Sequence, residues 1–165
     1  MDTNHTTRAL TRLFSELVDG APLGGEAFVL NGGDAGLLRS LDTLSSDAAS
    51  RSANGGATIA AHAQHVRYGL SLMNQWAREG GNPFANAKWD EAWKVSVVDA
   101  GEWKEIRTGL AAEVRDWQKA LETPRELSEL ERTGVISSIV HLAYHLGAIR
   151  QIDKTARGPR EGTFT

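Results

Sequence analysis

Four of the chain's five histidines fall into two close pairs. His141 and His145 stand four residues apart in His141-Leu-Ala-Tyr-His145-Leu-Gly-Ala-Ile-Arg-Gln151, inside an apolar run from Val135 to Ile152. On a helix, residues four apart lie one above the other on the same face. Two imidazoles stacked in this way can hold one metal ion between them. His62 and His65, three apart, share a face of a second predicted helix, and either can supply a third ligand; spacing does not choose between them. Imidazole suits zinc, nickel, copper and iron alike. Three histidines leave coordination positions open on the ion, which distinguishes a catalytic site from a closed structural one. The plainer reading of the same residues is a set of part-buried histidines bonded to their neighbours.

Several chemistries are excluded. The chain has no cysteine, so disulfides, thiolate zinc sites and cysteine nucleophiles are ruled out. His62-Ala-Gln-His65 lacks the four-residue spacing and the intervening glutamate of the metalloprotease motif. The paired cysteines and His-x-Glu element of the zinc deaminases are also missing. Asp153, the nearest carboxylate in sequence to the later pair, lies eight residues beyond His145, too far along a helix to be an assured general base. A net charge of −3 gives no reason to expect a nucleic-acid partner. No segment approaches the ~20 apolar residues that span a bilayer. The polar start, Met1 to Arg8, does not read as a signal peptide, so a cytoplasmic location is the expectation.

The elements that must carry these histidines follow from apolar periodicity. Leu10, Leu13, Phe14, Leu17 and Val18 predict a helix over 7–19, ended by Gly20, Pro22, Gly24 and Gly25. Asp34 can cap a short helix with Leu37, Leu38, Leu41 and Leu44 facing inward. Thr58 can cap a long helix that carries His62 and His65 and ends near Gly80-Gly81. Residues 88–99, with Trp89 and Trp93, read as an irregular, partly buried connection. Trp103, Ile106, Leu110, Val114, Trp117 and Leu121 predict a helix from Asp99 or Gly101 to Thr123-Pro124. The last helix runs from about Glu129 to Thr155 and carries His141 and His145, with an irregular tail after it. No strand is convincing, and 165 residues suit one domain, 1–165, folded as an all-α helix bundle.

At the histidine elements the chain resembles the DinB-like superfamily, the DinB/YfiT group of metalloenzymes. Its members have a histidine in the second main helix, matched here by His65-Val-Arg-Tyr-Gly-Leu. They have a His-x-x-x-His pair in the last helix, matched by His141 to Gln151. Helix order and lengths agree over most of the chain. The resemblance implies a four-helix bundle in an up-down-down-up arrangement, with the stretch from Asn31 to Leu44 as an added short helix between the first two main ones. It implies a divalent metal, nickel or zinc, held by His65, His141 and His145. It implies a bacterial metal-dependent enzyme acting on a small molecule, of thiol-dependent transferase or hydrolase type. A low-molecular-weight thiol is then a possible second cofactor, and a homodimer the expected assembly. Leu146 departs from the pattern, because an arginine often follows the second histidine of the pair. Arg150, four residues on, is the candidate replacement for holding an anionic substrate.

Other residues have simpler readings. Tyr68 and Tyr144 can donate hydrogen bonds near a metal but read better as packing residues, Tyr144 against a neighbouring helix. Trp76, Trp103 and Trp117 fall at core spacing. Trp89 and Trp93 can line a pocket mouth. The Gly-Gly pairs lack the spacing of a phosphate loop and read as caps and turns. Besides the enzyme, two functions compete: a non-catalytic metal-binding bundle with a structural or interaction role, and a helical interaction protein without metal.

Overall fold

A computed structural model describes residues 3–123 and 125–159. Among these residues the chain is all-helical, with seven α-helices, two 3-10 turns and no strand. The four long helices are α1 (Thr3–Asp19), α4 (Ile59–Glu79), α6 (Ala100–Glu122) and α7 (Glu129–Ile152). Helix α4 packs on both α6 and α7, and α1 packs on the same two from the other side. The shared core is mainly apolar: Phe14, Leu17, Ile59, Leu110, Trp117, Leu142, Leu146 and Ile149 are almost fully buried. Of the three tryptophans placed in the core by spacing, Trp103 and Trp117 are buried and satisfy their indole N–H groups there. Trp103 donates to the Leu44 carbonyl at 2.8 Å and Trp117 to the Ser138 hydroxyl at 3.1 Å. Trp76 is half-buried and meets Phe84 edge-on.

The helix ends follow their capping residues. Thr58 accepts from the Ala61 amide at the start of α4, as the sequence predicts. Reciprocal capping boxes open α6, through Asp99 and Glu102, and α7, through Ser128 and Glu131. Pro124, read as the stop after α6, lies outside the described residues; the helix ends at Glu122. Helix α7 ends at Ile152 rather than Thr155, because the Asp153 side chain turns back to accept from the Thr155 amide and opens a 3-10 turn, Lys154–Ala156.

The connection between the first two long helices holds two short helices, α2 (Gly36–Asp42) and α3 (Ser46–Ala49), where the sequence suggests one. Ser45 caps the second through the Ala48 amide, which explains the break. Before them the chain folds back on itself: Ala21 donates to the Asp34 carbonyl and Gly33 to the Ala21 carbonyl. Gly20 and Gly36 both have positive φ and touch backbone to backbone, so a Cβ on either would collide with the other strand of the loop. The loop is tied to α1 by Glu16, whose buried carboxylate accepts from the amides of Phe28, Val29 and Leu30 at 2.7–3.0 Å.

The connection from α4 to α6 holds a 3-10 turn, Pro83–Asn86, and one further short helix, α5 (Trp89–Ala92), followed by extended chain to Val98. This matches the irregular, partly buried stretch expected there. It packs along α4 beside the histidines.

Candidate metal centre

His62 and His65 lie on the buried face of α4, and α7 brings His141 and His145 against them. Three Nε2 atoms converge. That of His141 lies 3.0 Å from the Nε2 of His65 and 3.0 Å from the Nε2 of His145. A ligand nitrogen from each of the three rings falls within 4.8 Å of the other two. Nitrogens ~2.1 Å from a tetrahedral zinc ion lie roughly 3.4 Å from one another, so the cluster needs only a small relaxation to surround an ion. No Asp or Glu belongs to this cluster.

His62 does not join the convergence. Its Nδ1 lies 2.8 Å from the Nδ1 of His145, behind the ring edge that faces the other two histidines. The two histidines of α4, indistinguishable by spacing, therefore have different neighbours. His65 meets the convergent nitrogens, and His62 backs one of the rings that supply them. A hydrogen bond at Nδ1 fixes which nitrogen of His145 is free to bind a cation.

Burial sets the charge state of the group. All four imidazoles are held below the ordinary histidine range, because desolvation penalises the imidazolium form. His65 is pushed down to about 4 and His145 to about 3, mainly by burial and further by the neighbouring histidines. At neutral pH the three rings are therefore uncharged, with their Nε2 atoms facing one another. Nδ1 of His65 is buried without a hydrogen-bond partner. Three histidines so placed can hold a metal ion.

The α4–α6 connection roofs the cluster. Trp93 stacks on His65 with ring centroids 4.2 Å apart and meets His62 edge-on at 5.4 Å, and Trp89 tilts over His65 at 5.4 Å. A cavity of about 450 Å³ begins at His65 and His141 and runs between α4 and α7, with Phe84 and Trp89 on its rim. Trp89 thus lines a pocket mouth, and Trp93 covers the histidines themselves.

The remaining candidates lie elsewhere. Arg150 is turned away: it donates to Asp34 at 2.6 Å and to the Ala156 carbonyl, a buried pair with Arg150 15% and Asp34 2% exposed. It does not replace an arginine at Leu146, which is itself a core residue. Tyr68 accepts from the Lys88 amide through its hydroxyl and anchors the roofing segment. Tyr144 does not pack against a neighbouring helix; it is 68% exposed and touches only the His145 ring among aromatic groups, because its position on α7 points outward. Asp153 bonds Thr155 and lies 3.4 Å from Arg51. His5, on α1, pairs with Arg8.

No family model, curated protein or solved structure matches this chain. The fold and the site together define an all-helical protein with a three-histidine cluster able to hold a metal ion.

Proposed function

We propose that the protein is a DinB-like metal-dependent enzyme in which His65, His141 and His145 bind one divalent ion, zinc or nickel. The observation that carries this reading is the convergence of three uncharged imidazole nitrogens from two helices, on two buried rings and one half-buried ring. The ring order of the four long helices is compatible with the family's up-down-down-up bundle, with α2 and α3 as the insertion. A bound ion would act as a Lewis acid toward a carbonyl, lower the pKa of a bound water, or hold a thiol as thiolate. The chain's own groups supply the setting. His62 orients His145, Trp93 and Trp89 keep water from one side, and the adjoining cavity admits a small molecule to His65 and His141. Hydrolysis, or transfer to a low-molecular-weight thiol, is the reaction class proposed.

The cavity favours an enzyme over a purely structural metal site, since a closed site needs no access from solvent. A homodimer is proposed on the outward stripe of α7, where Ile136, Val140 and Tyr144 are exposed and no charged residue falls between Arg132 and Arg150. No helix among the described residues is long and apolar enough to cross a membrane.

Zinc titration of tag-free protein against a chromophoric chelator tests the ligand set. Wild type competes for one ion per chain, and His141→Ala does not compete. Equal competition by the variant would refute these ligands. Exchangeable water on a bound cobalt probe distinguishes the enzyme from the structural alternative; four protein ligands would favour the latter.

A further inference from the structure

The cavity beside the histidines has a composition that the metal site does not require. It is lined by apolar side chains from both helices, including Val66, Leu70, Met73 and Leu142, with the rings of Phe84 and Trp89 at its rim. Among the described residues, no Lys, Arg, Asp or Glu contributes to the lining. Ser138 is already committed, because its hydroxyl donates to the Val135 carbonyl and accepts from Trp117. That leaves Ser137, at the exposed edge of α7, to meet a polar atom of a ligand. Gly69 forms part of the floor: a Cβ there would stand 3.7 Å from His141 and 3.8 Å from Trp89, so its absence deepens the cavity where it meets the cluster. Arg132, two residues before the lining Gly134, donates to the Leu127 carbonyl and does not line the cavity, and Arg150, at the far end of α7, is bound to Asp34.

Such a lining does not compensate a buried charge, and an ionised ligand group placed in it would lose its hydration without a partner. An apolar group would gain by leaving water. The volume of about 450 Å³ lies within the range of small-molecule sites.

We propose that the site takes an uncharged ligand with two parts: a donor atom that reaches the ion held by His65, His141 and His145, and an apolar, ring-sized body that fills the cavity between α4 and α7. The inference rests on the metal-centre reading and narrows its substrate class. Ligands with a carboxylate or phosphate on the body are excluded, and aryl or branched alkyl compounds with a carbonyl, thiol or azole head fit.

Cobalt-loaded protein titrated with imidazole, 4-phenylimidazole and 4-(4-carboxyphenyl)imidazole tests it through the cobalt absorption bands. 4-Phenylimidazole is expected to bind about tenfold or more tightly than imidazole, because the phenyl group is buried. The carboxylate is expected to bind no better than imidazole. Two variants at half-buried or exposed positions check the location: Ser137→Trp fills the cavity, and Phe84→Asp places a charge on its wall. Each should keep one cobalt per chain and lose the preference for the phenyl compound. Equal binding of imidazole and 4-phenylimidazole, or a preference that survives both variants, overturns the inference and leaves the metal centre standing. Failure of the wild type to load cobalt overturns the metal-centre reading, and the inference with it.

Discussion

Two regions of the molecule bury polar groups between helices, and they solve the problem in opposite ways. Around α2, each buried charge has its complement within the chain. Asp34 faces Arg150 and also accepts from the Gly36 amide, and the Glu16 carboxylate accepts from three successive amides. Between α4 and α7, groups of one kind face one another. Three imidazole Nε2 atoms converge, and Nδ1 of His65 has no partner. Buried polar groups are costly unless they are satisfied, so the first arrangement is explained by the fold alone. The second is a set of imidazoles bonded ring to ring, Nε2 to Nε2 and Nδ1 to Nδ1. A further proton is poorly held there, since burial lowers the basicity of all four rings. Three of the rings can hold a metal ion. The contrast separates polar residues that hold the fold from polar residues that are able to take a ligand.

Substitutions can break this contrast, and the largest effect on stability is expected in the self-complemented region. Asp34→Ala leaves the Arg150 guanidinium buried without its partner and should cost about 3–5 kcal/mol, measured by urea unfolding. Metal uptake by the folded fraction should be unchanged. Glu16→Ala strands three amides and should cost about 2–3 kcal/mol. Faster hydrogen exchange at residues 28–30 is the local readout.

The histidine region should respond in metal affinity instead. His62→Ala removes the group behind His145 and should weaken zinc binding about ten- to hundredfold without changing the stoichiometry, as measured by competition with a chelator. Acid should act here too. The folded-state pKa values of His65 and His145 lie below the unfolded value near 6.5, so the unfolded chain takes up protons first as pH falls. Metal-free protein should hold its full histidine contribution above about pH 6.5. It should lose that contribution progressively as pH falls through about 4 and then 3. Urea midpoints across that window check the sign; a midpoint that rises on acidification would contradict it. The smallest effect is expected for His141→Ala without metal, within about 1 kcal/mol of wild type, because the ring is only half-buried and bonds only to other neutral imidazoles.

The same contrast explains what was legible in the sequence. The long helices were visible because their apolar spacing is local, and so was the pairing of His141 with His145. The cap at Thr58 was visible for the same reason, and the start of α6 was narrowed to Asp99 or Gly101. The end of α7 was not, because Asp153 stops it through its own side chain rather than through Gly or Pro. Glu16 and Asp34 gave no signal as buried anchors. A lone carboxylate on a helix or in a loop reads as solvated, and the Asp34–Arg150 pair spans 116 residues. The division between His62 and His65 was also hidden, since residues three apart share a face. Only the position of α7 gives one the Nε2 convergence and the other the back of His145. Trp89 and Trp93 were legible as candidates for a pocket mouth, but the stacking of Trp93 on His65 has no local signal in the sequence.

Elemental analysis of tag-free protein, purified without chelator and then exposed to equimolar zinc or nickel, tests the central claim most directly. The account predicts about one ion per chain, retained through gel filtration and lost in His141→Ala. Protein that emerges without metal after exposure to either ion would contradict it, and the histidines would then be a neutral cluster packed between two helices.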